Sequence, residues 1–295
     1  MNRIRFFALL LALCAMLSLC ACSSEEEKST TEPNTLVTEP TAEVGESGEL
    51  IYEGANSKCL FENESCSFTL QKAEIDSLSD YCWDVTLVNS SSSAQVFTVE
   101  NVFVNDFAFD PVWAVKVPAG STVDESIIWT APQMEALGIT QITRVDLTLR
   151  VNDPTTGKEF ANATLTNYPS GKSAYLPKTR NPQTTDVVLL DNADYTVIIT
   201  GHDNEHRWGY ALELYLYNKT GKTVTLTAKN VLVSGCDCDP QWSYTLPGGK
   251  QGFSEMIWFE EQLAEAGEIT GVSFDLQIAD ENGNPLTTGS YVYVP

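Results

Sequence analysis

The sequence predicts an all-β protein in which two similar domains follow a disordered tether. Three observations lead to this prediction: an internal repeat, an alternation of apolar and polar residues with period two, and turn-forming residues between the alternating segments. Alternation with period two gives a strand one apolar face, which is typical of a half-buried antiparallel strand. We therefore expect sheets, rather than helices, to form the cores.

The repeat becomes visible when the chain is aligned with itself so that 83–138 falls on 212–267 without a gap. Fifteen of the 56 aligned positions are identical. The identical pairs cluster at turns and aromatic positions, and they include Asn89 with Asn218, Pro111 with Pro240, Trp113 with Trp242, Trp129 with Trp258, and Gly138 with Gly267. Self-similarity of this kind indicates a duplicated domain.

Each copy is predicted to contain short strands and one helical turn. Trp83, Val85 and Leu87 alternate with polar residues, and the second copy repeats this pattern from Leu212 to Leu216. Helical turns are predicted over 130–137 and 259–266, since each segment ends before a glycine. About seven short strands with one helical turn in about 110 residues are typical of an Ig-like antiparallel β-sandwich.

The start of the chain has the composition of a secretion signal. Arg3 and Arg5 precede an apolar run over 6–19, which is short for a membrane span but suits the apolar region of a signal peptide. The run ends in Leu-Cys-Ala-Cys, which resembles the lipobox of bacterial lipoproteins. This resemblance implies that 1–21 is a lipoprotein signal peptide, with cleavage before Cys22. An ordinary signal peptide cleaved nearby is the alternative.

The lipobox resemblance implies a diacylglyceryl group on Cys22. Two acyl chains anchor a protein stably, so the mature chain is expected at the extracellular face of the cell membrane. Residues 22–48 are rich in Ser, Thr, Glu and Pro, which predicts a disordered tether. The sequence then predicts sandwich repeat 1 over 49–169, a semi-stiff linker over 170–184 and sandwich repeat 2 over 185–295.

The chain is strongly acidic, with 17 Lys and Arg against 40 Asp and Glu and a formal net charge of −23. A field of this sign disfavours nucleic acid and anionic lipid as partners. Its commonest consequence is solubility, so the charge alone identifies no ligand.

Motifs for catalysis are missing from the sequence. It contains only two histidines, and no Gly-x-Ser-x-Gly elbow, phosphate loop or His-Glu-x-x-His motif. His202, His206, Cys236 and Cys238 have the ligand types of a zinc site, but nothing in the sequence brings their two segments together. We therefore expect neither an enzyme nor a bound cofactor or metal, although a zinc site in the second repeat stays open.

Cys59 and Cys66 flank a short polar segment in a chain that is expected outside the cell, where disulfides persist. A disulfide across a hairpin is the tentative prediction, and two thiols are the alternative. The six tryptophans are expected mainly in the cores, because two pairs of them, Trp113 with Trp242 and Trp129 with Trp258, recur between the copies within strand patterns. An aromatic platform for glycans is the alternative.

Several segments of the second copy resemble a known domain. The run 189–197, the strand that ends at Asn218, the segment 230–233 and the turn 247–250 resemble an uncharacterised Ig-like domain. This domain occurs, often in tandem, in lipoproteins of Gram-positive, clostridial-type bacteria. The resemblance implies the fold and the location, and the family has no established activity to transfer.

The anchor, the tether and the two sandwiches together favour a non-enzymatic interaction or display module. Its expected partner is a protein, a peptide or a glycan of the cell envelope. A cell-envelope hydrolase with a carboxylate or metal centre is one alternative, because the chain is rich in carboxylates. A passive surface spacer is the other.

Overall fold

The structure is a computed structural model, and it describes residues 43–45, 48–109 and 111–295. The predicted signal peptide, Cys22 and most of the predicted tether lie outside the described residues. In the described part of the chain, no helix has the length and apolar character needed to cross a membrane. This part is all-β, as predicted, with one short α-helix in each repeat.

The first repeat contains eleven described strands and one helix. The strands are β1 (Glu43–Val44), β2 (Leu50–Glu53), β3 (Asn56–Glu62), β4 (Cys66–Ile75), β5 (Tyr81–Asn89), β6 (Gln95–Val104), β7 (Phe107–Phe109), β8 (Ala114–Val117), β9 (Thr122–Trp129), β10 (Val145–Asn152) and β11 (Glu159–Tyr168). The helix α1 (Ala131–Ala136) lies within the segment predicted to be helical.

The strand β1 corrects the predicted boundary of the tether. Glu43 and Val44 pair in an antiparallel ladder with Ile51 and Leu50 of β2, although the tether was predicted to extend to residue 48. Composition failed here because backbone pairing, rather than burial of side chains, holds this short strand.

Two sheets pack face to face in the first repeat. One sheet has the order β3-β4-β5-β9, and the other runs β2-β11-β10-β6 and continues into β7, while β8 also pairs with β6. Trp83, Val85 and Leu87 of β5 are fully buried, and the residues between them are more exposed. The predicted alternation is therefore confirmed in the strand that carries it most clearly.

The second repeat, described throughout 185–295, contains nine strands and one helix. The strands are β12 (Val187–Asp191), β13 (Tyr195–His206), β14 (Gly209–Asn218), β15 (Val224–Val233), β16 (Cys236–Asp237), β17 (Ser243–Leu246), β18 (Gln251–Phe259), β19 (Val272–Ala279) and β20 (Pro285–Tyr293). The helix α2 (Glu260–Leu263) is shorter than the predicted segment. A single 3-10 turn, Lys172–Ala174, lies between the repeats.

The two repeats share one pairing scheme. The order β13-β14-β18 corresponds to β4-β5-β9, and β15-β19-β20 corresponds to β6-β10-β11. Tyr81 pairs with Trp129 in the first repeat, as Tyr210 pairs with Trp258 in the second. The alignment that places 83–138 on 212–267 in the sequence is thus the structural register of two Ig-like sandwiches.

The repeats are also joined to each other. Phe107 of β7 pairs in parallel with Gln251 of β18, so that one eleven-stranded sheet runs through both repeats. The cores overlap at this junction, since Ile198 and Tyr215 pack in the core of the first repeat and Phe103 packs in that of the second. Both repeats belong to one compact unit.

A buried asparagine closes the same loop in each repeat. The Asn218 amide donates to the carbonyl oxygens of Lys222 and Leu246 at 2.7 and 3.0 Å, and its oxygen accepts from the backbone of Thr220. Asn89 makes the corresponding bonds in the first repeat. The identity of Asn89 and Asn218 therefore has a structural cause, because each buried side chain supplies hydrogen-bond partners to backbone groups of the loop and of the neighbouring strand.

We expect the Asn218→Ala substitution to lower the free energy of unfolding by about 1–3 kcal/mol, because buried carbonyl oxygens would lose their donor. Urea denaturation followed by circular dichroism measures this change. The matched control is Asn162→Ala, since Asn162 is exposed and donates to another exposed side chain. Equal effects of the two substitutions would contradict a structural role for Asn218.

Candidate functional site

The predicted disulfide between Cys59 and Cys66 is absent, and that prediction was wrong. Cys59 lies on the exposed face of β3, whereas Cys66 is buried in the core at the start of β4. The two side chains point to opposite faces of one sheet, so a hairpin bridge cannot close. Burial raises the pKa of the Cys66 thiol to about 11, which keeps it protonated. Cys22 lies outside the described residues.

The four candidate zinc ligands stay apart. His202 Nδ1 lies 2.7 Å from the hydroxyl of Tyr293, and His206 approaches Glu255. The Cys236 and Cys238 thiols instead donate to backbone carbonyl oxygens of the 262–265 segment. Within the described ranges, no group of three or more metal-ligating side chains comes together.

The tryptophans divide into core and surface residues. Trp83, Trp129 and Trp258 are fully buried, and Trp242 is nearly so. Their burial confirms the expected core packing for the recurring pair Trp129 and Trp258, whereas Trp113, the counterpart of Trp242, is only partly buried against the first core. Trp208 differs from them, because 49% of its surface is exposed.

Trp208 stands at the tip of the hairpin that joins β13 to β14. The next residue, Gly209, has φ +142, and a Cβ atom there would lie 2.3 Å from the carbonyl oxygen of Trp258. Only glycine fits so close to the neighbouring strand. The Trp208 carbonyl oxygen accepts a hydrogen bond from the backbone of Glu260 at 3.1 Å. The hairpin is therefore fixed against the end of β18, and the indole is held at the surface.

Two side chains complete an exposed aromatic group at this hairpin. The Phe259 ring, 48% exposed, meets the Trp208 ring edge to face at 6.2 Å. The guanidinium of Arg207 lies 5.0 Å from the centre of the Trp208 ring, within range of a cation–π interaction. We call Arg207, Trp208 and Phe259 the aromatic tip. Tryptophan and arginine are the residues most enriched in the binding centres of protein interfaces.

The first repeat lacks an equivalent of the aromatic tip. The alignment of the two copies places Leu78, Ser79 and Thr130 at its positions. Sequence reasoning missed the site because it considered Trp208 only as one of six tryptophans. The available signal was that Trp208, unlike Trp129 or Trp258, has no aromatic counterpart in the other copy.

A buried ion cluster fixes the position of the second repeat against the first. Lys250 Nζ lies 2.8 Å from Asp106 Oδ1 and 2.6 Å from Asp146 Oδ2, and all three side chains are less than one tenth exposed. Arg144 Nε donates to Asp146 at 2.9 Å, so two carboxylates face two cations. Removing one partner from such a group leaves an uncompensated buried charge, which is costly.

The linker closes this cluster from one side. The Tyr175 hydroxyl donates to Asp106, and the guanidinium of Arg144 lies 5.3 Å from the centre of the Tyr175 ring. Burial by itself lowers the pKa of Arg144, but the neighbouring Asp146 and Asp106 carboxylates together outweigh it and keep that pKa above its ordinary value. Burial and the hydrogen bond to Asp106 raise the pKa of Tyr175. Arg144 is therefore cationic and Tyr175 a neutral donor at physiological pH.

The rest of the linker is bound to the second repeat. Arg180 donates two hydrogen bonds to Asp186, at 2.6 and 2.7 Å, and this pairing holds the pKa of Asp186 below its usual range. The Gln251 side chain donates to the carbonyl oxygen of Lys178. The linker predicted over 170–184 thus forms part of the junction rather than a spacer between independent domains.

Comparisons with known proteins identify no family. No family model matches the chain, and no curated protein matches it. One similar solved structure is the Salmonella enterica SafA pilin in complex with the SafB chaperone, which is 9% identical to this chain and has a TM-score of 0.22. The match covers 79% of this chain and 98% of that chain. The YadV chaperone has 9% identity over 72% of this chain and 92% of its own, with a TM-score of 0.21. At TM-scores this low, the similarity supports no conclusion about the function of this chain.

We expect Lys250→Met to lower the free energy of unfolding by about 3–5 kcal/mol, because Asp106 and Asp146 would share one fewer buried cation. Thermal and urea unfolding of the chain measure the loss.

The matched control is Lys219→Met, which removes a surface ion pair with Asp191 and should cost less than about 1 kcal/mol. If Lys250→Met left stability unchanged, the buried ion cluster would not hold the repeats together.

Proposed function

We propose that this protein is a lipid-anchored, non-enzymatic interaction module, displayed at the extracellular face of the cell membrane, that binds a partner through the aromatic tip. The membrane attachment through Cys22 rests on the sequence alone. The binding role rests on the aromatic tip, where Trp208 and Phe259 expose adjoining rings.

The exposure of the tip is the observation that carries this proposal. Large aromatic side chains gain free energy when they leave water, so a protein that keeps two of them about half exposed forgoes that gain. The hairpin is rigid at this point, because Gly209 fits closely against Trp258 and the Trp208 carbonyl is hydrogen-bonded. A preorganised surface loses little conformational entropy when a partner binds.

The surroundings of the tip restrict the chemistry of the partner. Glu205, Glu260 and Glu261 are exposed next to it in the chain, and Arg207 lies on the Trp208 ring. Exposed carboxylates close in the chain to an aromatic group disfavour polyanions and accept neutral or cationic groups. A glycan, a neutral peptide or a basic protein segment of the cell envelope fits this description.

The proposal predicts that Trp208→Ala weakens binding to cell-envelope material by about tenfold or more, as expected for the loss of a central aromatic contact. The measurement uses lipid-free chain 23–295, which keeps every described residue, with purified cell-wall glycan and solubilised envelope protein as separate ligands. Acrylamide quenching of tryptophan fluorescence follows the contact, and the quenching should decrease when the ligand covers Trp208.

The matched control is Leu78→Ala, at an exposed apolar side chain of the corresponding hairpin in the first repeat. It should leave binding unchanged. If Trp208→Ala and the control bind alike, the aromatic tip is not the contact. If the unmodified chain binds neither the cell-wall glycan nor the envelope protein, the protein is better explained as a passive spacer.

A further inference from the structure

The last strand of the second repeat has an open edge. Among the described strands, β20 pairs only with β19. Its counterpart in the first repeat, β11, pairs with β10 on one side and in parallel with β2 on the other. The duplicated strand is thus covered in one copy and uncovered in the other.

The ladders show which residues of the two strands are equivalent. Asn167 of β11 pairs with Val145, the first residue of β10. Tyr293 of β20 pairs with Val272, the first residue of β19. Asn167 and Tyr293 therefore occupy the same place in their repeats, and the rest of each strand follows in register.

In the first repeat, β2 covers the end of β11, and the equivalent end of β20 has no neighbouring strand among the described residues. β2 pairs with 165–168, and all four of these residues are buried. The equivalent residues of the second repeat are 291–294, in which Val292 and Val294 are each 70% exposed. An open edge with exposed apolar side chains is a template for strand addition.

The charge pattern of β20 sets it apart from the other edges. Proteins usually protect an open edge with charged side chains. Among the described edge strands of five or more residues, β3, β9 and β12 each carry an acidic residue, whereas β20 (Pro285–Tyr293) carries no charge. In a chain with a net charge of −23, an uncharged edge favours an uncharged partner.

The sandwich of the second repeat is closed without an added strand. Tyr291 packs against Phe274 with ring centres 6.2 Å apart, and the Tyr293 hydroxyl bonds His202 across the sandwich. The first repeat has Leu165 and Asn167 at the two tyrosine positions and relies on β2 to cover them. A strand that joins β20 would accordingly bind reversibly rather than complete the fold.

We infer that the β20 edge binds an extended, uncharged peptide segment of a partner, added in parallel beside 291–294 as β2 is added to β11. Backbone hydrogen bonds supply the affinity, and contacts with Val292 and Val294 favour apolar side chains on one face of the segment. A second copy of the chain fits less well, because both copies carry the same large negative charge and β2 is already paired. This edge shares no residue with the aromatic tip, so the inference goes beyond the proposed function.

The probe is a capped peptide with the sequence of 48–55, which contains β2, with Glu49→Gln and Glu53→Gln to remove its charge. Titration into the 15N-labelled chain 23–295 should shift the backbone amide resonances of 291–294 in a saturable way. Val292→Lys should weaken this binding about tenfold, because a charge would lie on the edge. Thr288→Lys is the control, since Thr288 is exposed on the same strand but outside the covered residues, and it should change little.

Three results would overturn the inference. One is the absence of saturable shifts at 291–294. Another is a set of shifts confined to 165–168, which would mean that the peptide merely replaces β2. The third is concentration-dependent dimerisation in sedimentation that Val292→Lys abolishes, without peptide binding, which would identify a second copy as the occupant. Trp208→Ala should leave peptide binding intact, so that failure here is distinct from failure at the aromatic tip.

Discussion

The arrangement of the two repeats depends on the buried contact of Lys250 with Asp106 and Asp146. Neither carboxylate is stable there without the cation, and the cation is not stable without them, because each lies away from water. The charges balance only when β18 of the second repeat sits beside β7 of the first. This requirement fixes the orientation of the repeats and makes one continuous sheet out of two sandwiches. The aromatic tip and the β20 edge are consequently held in a fixed relation to the first repeat.

Comparison of the copies separates residues that hold a repeat from residues that join the repeats. Asn89 and Asn218 recur because every copy must close the same loop. The ion cluster does not recur. The first repeat has Ser121 at the position equivalent to Lys250, and the second repeat has Gly235 at the position equivalent to Asp106. A head-to-tail contact repeats along a chain only if each copy offers both surfaces. The second repeat lacks this carboxylate at the equivalent position, so it cannot make the same contact with a further copy.

The sequence predicted the strands and the register well, because alternation and duplication are local signals. It failed where the outcome depends on distant residues. Lys250 follows a Pro-Gly-Gly turn and resembles any exposed turn lysine, yet its partners lie far away along the chain, in the other repeat. The Cys59–Cys66 bridge failed because spacing along the chain does not show which face of a sheet each side chain takes. For the candidate site, the sequence shows that Trp208 is present but does not reveal that its side chain is exposed.

The acidic surface and the uncharged β20 edge have a common physical consequence. An open apolar edge normally promotes edge-to-edge association of identical chains. Here 40 acidic residues against 17 basic ones oppose the approach of a second copy, since like charges repel over roughly 8–10 Å at physiological salt. A short neutral peptide experiences little of this repulsion. The negative charge therefore also allows the second repeat to leave the β20 edge uncovered. In the first repeat, by contrast, β2 covers the equivalent edge of β11.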